Sequence, residues 1–142
     1  MLKKLIVAFM LIIPMGLCAQ QKFGHVNSAV IITLMPEYTT AQTELQSLEK
    51  QYTDEIKRME DELNKKGEEF EAQKATLPAN IAERRQNELQ ELYNRMQQYF
   101  QEGQQHMQKA SADKMEAIRA KLTAAIKEVG VAGGYVYIMD VA

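Results

Sequence analysis

Residues 133–141, Gly-Gly-Tyr-Val-Tyr-Ile-Met-Asp-Val, decide the fold of this 142-residue chain. Two glycines precede a run of aromatic and β-branched residues, which is typical of a β-strand. Residues 22–27, Lys-Phe-Gly-His-Val-Asn, form a second stretch of this kind. The residues between them are mostly helical in pattern. Because two short strands are not stable alone in water, the helical part must turn back on itself so that the strands can meet.

The first 19 residues have the three parts of a secretory signal peptide. Two lysines precede an apolar segment at residues 5–13, which is too short to span a bilayer, and Ala19 is a small residue before a cleavage site. We therefore expect export across a membrane and a mature chain that starts near Gln20. The alternatives are a short N-terminal anchor and a lipoprotein acylated at Cys18, although the preceding Leu17 is bulky for such a site.

Composition excludes several classes of site. Cys18 is the only cysteine, so the mature chain would have no disulfide, no thiolate metal site and no cysteine nucleophile. The 17 basic and 19 acidic residues give a net charge of −2, and removal of Lys3 and Lys4 changes it to −4. This mildly acidic charge favours neither nucleic-acid binding nor a basic surface for membranes.

The first helical pattern is a stripe of apolar residues at steps of three, four and then seven, which predicts a long helix with an irregular heptad repeat. We expect this helix to begin near Thr39 or Thr40. Before it, residues 28–35 are either helix or strand, and a cap at Asn27 or Ser28 favours helix. The stripe consists of Ala41, Leu45, Leu48, Tyr52, Ile56, Met59, Leu63, Phe70 and Leu77.

Pro78 predicts a bend, after which Asn80 is the expected cap of a second long helix. Glycines at 130, 133 and 134 are expected to end that helix. Its apolar stripe consists of Ile81, Leu89, Leu92, Met96, Tyr99, Gly103, Met107, Ala110, Ile118, Leu122, Ala125 and Val129.

No group of residues has the spacing of a catalytic, cofactor or metal site. His25 and His106 are far apart, and no second ligand stands at helical spacing from either. The acidic runs at residues 60–62 and 68–69 fit a solvated helix face better than a pair of catalytic carboxylates. We therefore expect no enzyme activity, no cofactor and no bound metal.

Aromatic and methionine residues on the second helix form an apolar arc that is wider than a two-helix seam requires. They serve either core packing alone or core packing together with a surface for apolar partners, to which such side chains adapt well. The candidates for this surface are Tyr93, Met96, Tyr99, Phe100 and Met107.

The mature chain resembles the periplasmic Skp/OmpH family of outer-membrane-protein chaperones. The resemblance rests on the opening strand Phe-Gly-His-Val-Asn at residues 23–27, the apolar run to Met35, and Pro-Glu-Tyr at residues 36–38 leading into the long helix. Residues 135–140 are similar to the closing strand of the family. The order of signal peptide, strand, Pro-Glu, long hairpin and strand is more specific than any one of these elements.

The resemblance implies a periplasmic homotrimer with a β body and three helical arms around a cavity. It implies an ATP-independent holdase that binds unfolded outer-membrane proteins. Well-known members are strongly basic, whereas this chain is mildly acidic, so its charge gives weak support to electrostatic client capture and to contact with a membrane, which stays an alternative. A structural coiled-coil spacer of the cell envelope, without clients, is the alternative function.

These observations together predict an α+β fold that is mostly helical, with a long antiparallel helical hairpin arm on a small β base. Residues 20–142 would form one domain, in which 20–38 and 130–142 make the base and 39–129 the arm. The strands are too few to bury a core alone, so we expect them to associate with other copies of the chain. The expected oligomerisation residues are Phe23, Val26, Val136 and Ile138.

Overall fold

The computed structural model describes residues 21–142, so the predicted signal peptide and the alternatives at Cys18 lie outside the described residues. The elements are β1 (Lys22–Val26), α1 (Ser28–Leu34), α2 (Pro36–Gln73), α3 (Ala79–Gly133) and β2 (Tyr135–Asp140). They form two compact units. We call residues 21–31 with 121–142 the sheet unit, and residues 32–120 the hairpin unit.

The sheet unit contains both predicted strands, which pair in parallel. Phe23 aligns with Tyr137, and Gly24 aligns with Ile138. Ile138 packs so closely on α3 that a Cβ added to Gly130 would lie 3.1 Å from its Cδ1 atom. The two-stranded sheet is therefore covered on the face of Ile138 by the end of a helix.

Residues 28–34, which the sequence left open between helix and strand, form the helix α1. The Asn27 side chain caps it, because its Oδ1 accepts a hydrogen bond from the backbone N–H of Val30 at 3.0 Å. The carboxylate of Asp140 accepts a second one from the N–H of Ser28 at 3.1 Å. Hydrogen bonds from Ser28, first from its side chain and then from its backbone, lower the pKa of Asp140.

The predicted start of the first long helix at Thr39 or Thr40 is wrong, because α2 begins at Pro36. A proline at the first helical position has a suitable φ, and the N–H that it lacks would have no partner within the helix. Thr39 and Thr40 lie in the first turns instead of capping them. The Thr40 hydroxyl donates to the carbonyl oxygen of Pro36 at 3.1 Å.

The predicted bend at Pro78 is confirmed, but the cap is not Asn80. The Pro78 carbonyl accepts hydrogen bonds from the N–H groups of Ile81 and Ala82, at 2.9 and 3.0 Å, so Asn80 already lies inside α3. At the other end, α3 continues to Gly133. Gly134 follows with a φ of 67°, which is the left-handed conformation that commonly ends a helix.

Within the hairpin unit, α2 and α3 run antiparallel. Glu44 forms an ion pair with Lys114, whereas Tyr52, further along α2, contacts His106, which is earlier on α3. The predicted stripe of the first long helix is buried or half-buried throughout, but its last member, Leu77, lies in the turn that follows α2. The fold class is therefore confirmed as mostly helical α+β with a long antiparallel hairpin and a small sheet.

Near its end, the predicted stripe of α3 is wrong. Ala125 and Val129 are exposed, whereas Leu122 and Gly130 are buried and Ile126 is half-buried. Steps of four residues continue through 122, 126 and 130, so positions 125 and 129 lie on the neighbouring, outward face of the helix.

Candidate functional site

The two helices of the hairpin unit approach closely at an aromatic layer around Gly103. The Tyr52 ring lies against this glycine, and a Cβ added there would come within 2.8 Å of the ring. The Tyr52 ring centroid is 5.4 Å from that of Tyr99 and 5.9 Å from that of His106. The Tyr52 hydroxyl oxygen also lies 2.7 Å from His106 Nδ1, which is a hydrogen-bond distance. We call Tyr52, Tyr99, Gly103 and His106 the tight layer.

The environment of Tyr99 favours its neutral form. Desolvation by burial raises its pKa above the ordinary 10.0, and the negative charge of Glu55 raises it further, while Arg58 acts in the opposite direction. Tyr99 therefore serves the packing of the two helices, as a half-buried member of the tight layer.

The structure divides the five predicted client-binding residues into two groups. Tyr93 is 44% exposed and Phe100 is 45% exposed, so each ring leaves a large part of its surface in solvent. Met96, Tyr99 and Met107 are half-buried. Since Tyr93 and Phe100 are seven positions apart on one helix, they share a face.

Phe100 also borders a groove of about 370 Å³ between the two helices. Ile56 and Tyr52 line it from α2, and Met107 lines it from α3. The rim is polar, with Glu49, Gln104 and Gln108. The exposed ring of Phe100 is thus continuous with apolar side chains of the seam, and the two kinds of predicted residue meet in one surface.

The four predicted oligomerisation residues also divide into two groups. Phe23 and Val136 are exposed, whereas Val26 and Ile138 are half-buried. The Phe23 ring stacks on the ring of Tyr137, with centroids 6.3 Å apart and planes inclined by 6°. An apolar pair therefore stands open on the side of the sheet away from Ile138.

The sequence analysis missed most of the exposed apolar surface of the sheet unit. Of the twelve large apolar side chains that are exposed in the described chain, nine lie in this unit. Along β2, Tyr135, Tyr137 and Met139 alternate with Val136 and Ile138, so both faces of this strand are apolar. This pattern could have indicated that one apolar face is exposed. The nine are Phe23, Val30, Val129, Val131, Tyr135, Val136, Tyr137, Met139 and Val141.

Neither a metal-binding cluster nor a helix of membrane-spanning type is found in residues 21–142. No group of three or more His, Cys, Asp or Glu side chains in this range is arranged to hold a metal ion. No helix in the same range is long and apolar enough to cross a membrane.

Comparison with known proteins identifies the family. The profile of a family described as Outer membrane protein (OmpH-like) matches residues 22–142. The chain belongs to the OmpH-like family. A solved structure from Caulobacter crescentus CB15, assigned as an outer membrane chaperone (OmpH-like), shares the fold with a TM-score of 0.79 at 17% identity. That likeness covers 86% of this chain and 72% of the other. No curated protein sequence matches.

Some of the charged side chains of this OmpH-like chain form ion pairs at short range. Its ion pairs mostly join side chains three or four positions apart on one helix, such as Lys50 with Asp54 and Arg58 with Glu55. Exposed pairs of this type contribute at most about 1 kcal/mol each. The hairpin surface therefore offers alternating charges, and the exposed aromatic rings are its distinctive feature.

Proposed function

We propose that this OmpH-like chain is an ATP-independent holdase of the periplasm, which binds unfolded outer-membrane proteins and prevents their aggregation. Family membership and the chaperone assignment of the Caulobacter protein support this proposal. The observation that carries it is the exposure of the aromatic rings of Tyr93 and Phe100 on the α3 helix of the hairpin.

The chemistry of such clients fits this surface. An unfolded barrel protein exposes apolar residues in alternation along segments of about ten residues. A holdase that releases clients without ATP needs many weak, adaptable contacts, which aromatic and methionine side chains provide. Phe100 and the groove beside it, with Ile56 and Met107, offer a contact of this kind.

The proposed assembly is a homotrimer formed through the sheet unit. Nine exposed apolar side chains on a unit with only two strands form more apolar surface than such a small unit can be expected to leave in water. Phe23, Val136 and Tyr137 are the exposed positions that other copies of the chain would cover.

A structural spacer of the cell envelope is the competing function. A spacer needs a stable seam between its helices but no exposed aromatic side chain on the outer face of α3. The exposure of Tyr93 and Phe100 favours the holdase, since each ring leaves more than two fifths of its surface in solvent.

The decisive experiment dilutes a urea-unfolded outer-membrane β-barrel protein into buffer, with and without the mature chain, and follows aggregation by light scattering. We expect suppression by the chain. The double substitution Tyr93→Ser with Phe100→Ser should weaken client binding by about tenfold, which corresponds to roughly 1.4 kcal/mol. Gln98→Ser with Gln105→Ser, two exposed polar residues at the same spacing on α3, is the matched control and should bind normally.

Salt separates apolar from electrostatic capture in the same assay. An increase from about 50 to about 500 mM screens exposed charges strongly, yet it should change client affinity only modestly. Loss of binding in salt, together with normal binding by the Tyr93/Phe100 variant, would mean that charge holds the client. Full activity of both variants and no effect of salt would favour another surface.

Assembly is tested separately by light scattering of the mature chain, for which we expect about three times the mass of one copy. Val136→Asp places a charge on the exposed sheet surface and should dissociate the assembly. Ile138→Asp is a less specific probe, because Ile138 packs on Gly130 and its loss would damage the sheet unit itself. A folded monomer at micromolar concentration would contradict the proposed trimer.

A further inference from the structure

The groove beside Phe100 contains the Tyr52 ring, but not the partners that Tyr52 has in the tight layer. The Tyr52 hydroxyl oxygen lies 2.7 Å from His106 Nδ1, and its ring contacts that of Tyr99. Neither of these two partners lines the groove, whereas Tyr52 itself does. Because the polar end of Tyr52 is already engaged with His106, its contribution to the groove is apolar ring surface.

The walls of the groove suit an aromatic ring better than an aliphatic side chain. Phe100 contributes a ring that is 45% exposed, and Met107 and Ile56 contribute a thioether and a branched aliphatic chain. Contacts of one aromatic ring with another, or with sulfur, add to the gain from burial of apolar area alone. A cavity of about 150 Å³ with such a lining can hold benzene. The groove, at about 370 Å³, therefore has room for one phenol or indole ring.

The rim of the groove supplies hydrogen-bonding groups directly beside these apolar walls. They are the exposed side chains of Glu49 and Thr53 on α2 and of Gln104 and Gln108 on α3. A carboxylate accepts hydrogen bonds, and an amide both donates and accepts them. The O–H of tyrosine and the N–H of tryptophan usually need a partner when the ring is buried. A ring with a polar tip thus finds walls for the ring and partners for the tip in one place.

We propose that this groove is a subsite for one aromatic side chain of the client, in particular tyrosine or tryptophan. The inference rests on the proposed function, because the clients in question are unfolded outer-membrane proteins. Barrels of this class carry girdles of aromatic residues at both membrane interfaces. In the unfolded chain these rings are available to other proteins, so the girdle residues would determine which client segments the hairpin holds.

The test compares two forms of one urea-unfolded β-barrel protein. One form is natural, and in the other the tyrosines and tryptophans of the girdles are replaced by leucine. Each form carries a fluorescent label and is diluted into increasing amounts of the mature chain, and anisotropy gives the Kd. We expect the leucine form to bind about fivefold more weakly, although leucine is itself apolar.

Two variants of the chain locate this preference. Phe100→Leu removes a ring from the wall but keeps an apolar side chain, so the preference for the natural form should fall from about fivefold to less than about twofold. Tyr93→Leu is the matched control, since Tyr93 is 44% exposed on the same helix but does not line the groove. It should weaken the binding of both client forms equally and leave the preference unchanged.

Contact inside the groove is measured independently with bimane, a fluorophore that tyrosine and tryptophan quench on contact. Because Cys18 is the only cysteine, a chain that starts at Gln20 has no thiol of its own. Bimane is attached through Gln104→Cys, which lies on the rim, or through Gln105→Cys, which is exposed beside it but does not line the groove. The natural client should add quenching at position 104 and not at position 105.

Equal binding of the two client forms by the wild-type chain would overturn the subsite and leave the holdase function standing. Binding of neither form would overturn the holdase function, and the subsite with it. An undiminished preference in the Phe100→Leu chain, or equal quenching at positions 104 and 105, would mean that client rings bind elsewhere. A third client form, with arginine at the girdle positions, would overturn the subsite by binding more tightly than the natural form, since the groove would then select cations beside Glu49.

Discussion

Gly103 and Gly67 are both seam glycines of the hairpin unit, yet they have opposite surroundings. At Gly103 the absent side chain is replaced by the ring of Tyr52 from the other helix, whereas at Gly67 nothing replaces it. The first glycine permits close packing, and the second borders an open groove. The comparison teaches that a glycine in a helical seam strengthens or weakens it according to what the partner helix supplies.

Removal of the Tyr52 side chain should lower the free energy of unfolding more than any of the changes described below. Tyr52→Ala empties the space above Gly103 and ends the contacts with Tyr99 and His106. We expect a loss of about 2–4 kcal/mol in the free energy of unfolding, at the lower end for core aromatic truncation because Tyr52 is only half-buried. Urea unfolding followed by circular dichroism measures it, and a loss below that of an exposed control such as Gln98→Ala would contradict the tight layer.

Addition of one methyl group at Gly103 should have the next largest effect. In the Gly103→Ala chain the new Cβ would meet the Tyr52 ring at 2.8 Å, so the ring must move. Overpacking of this kind costs about 1–3 kcal/mol, and the better helix propensity of alanine offsets about 1 kcal/mol of it. We therefore expect a net loss of roughly 1 kcal/mol by urea unfolding, and a gain in stability would show that the ring is loosely held.

Addition of a methyl group at Gly67 should raise the free energy of unfolding, whereas the same addition at Gly103 should lower it. Because a Cβ there meets no atom within 4 Å, Gly67→Ala should raise the free energy of unfolding by about 0.5–1 kcal/mol through helix propensity alone. Thermal and urea unfolding of the two alanine variants, measured side by side, give the comparison directly. A loss of stability at Gly67 would mean that the open space is closed in solution.

The smallest expected effect is a loss of stability at alkaline pH that arises from Tyr99 in the tight layer. The folded state raises the pKa of Tyr99, first by burial and then through Glu55. This contribution to stability is therefore complete below the ordinary tyrosine pKa of 10.0 and is lost as pH rises through the higher folded value. The free energy of unfolding is measured from pH 9 to 11 for the wild-type and Tyr99→Phe chains, and the difference between them isolates the contribution of Tyr99. Parallel pH curves for the two chains would exclude this contribution.

Much of the fold could be predicted from the sequence, because its signals are local. Strand composition, helical periodicity and Pro78 each act over a few residues. The predicted start of α2 near Thr39 or Thr40 is wrong because Pro36, which precedes both threonines, suits the first turn of a helix. The end of the α3 stripe was wrong because Ala125 and Val129 are as apolar as the inward residues beside them.

The candidate site was predicted less completely, since exposure depends on the partner element. On α3, the apolar arc contains Tyr99 and Phe100 side by side, and only the position of α2 decides that Tyr99 packs on Tyr52 while Phe100 remains exposed. For the same reason, the sequence alone did not identify Tyr137 and Met139 as an open face. Gly103 was placed in the stripe, but its pairing with a ring from α2 follows from the register of the hairpin.

The pairing of β1 with β2 determines an order of events during folding. Ser28 and Asp140, which join through a hydrogen bond at the end of the sheet, are 112 positions apart in the chain. Closing so long a loop is slow and entropically costly. Pairing of α2 with α3 brings Ala41 and Ile118 to one cavity and so shortens the loop that remains. The hairpin is therefore expected to form first, and a chain still being synthesised has no sheet of this kind until β2 has emerged.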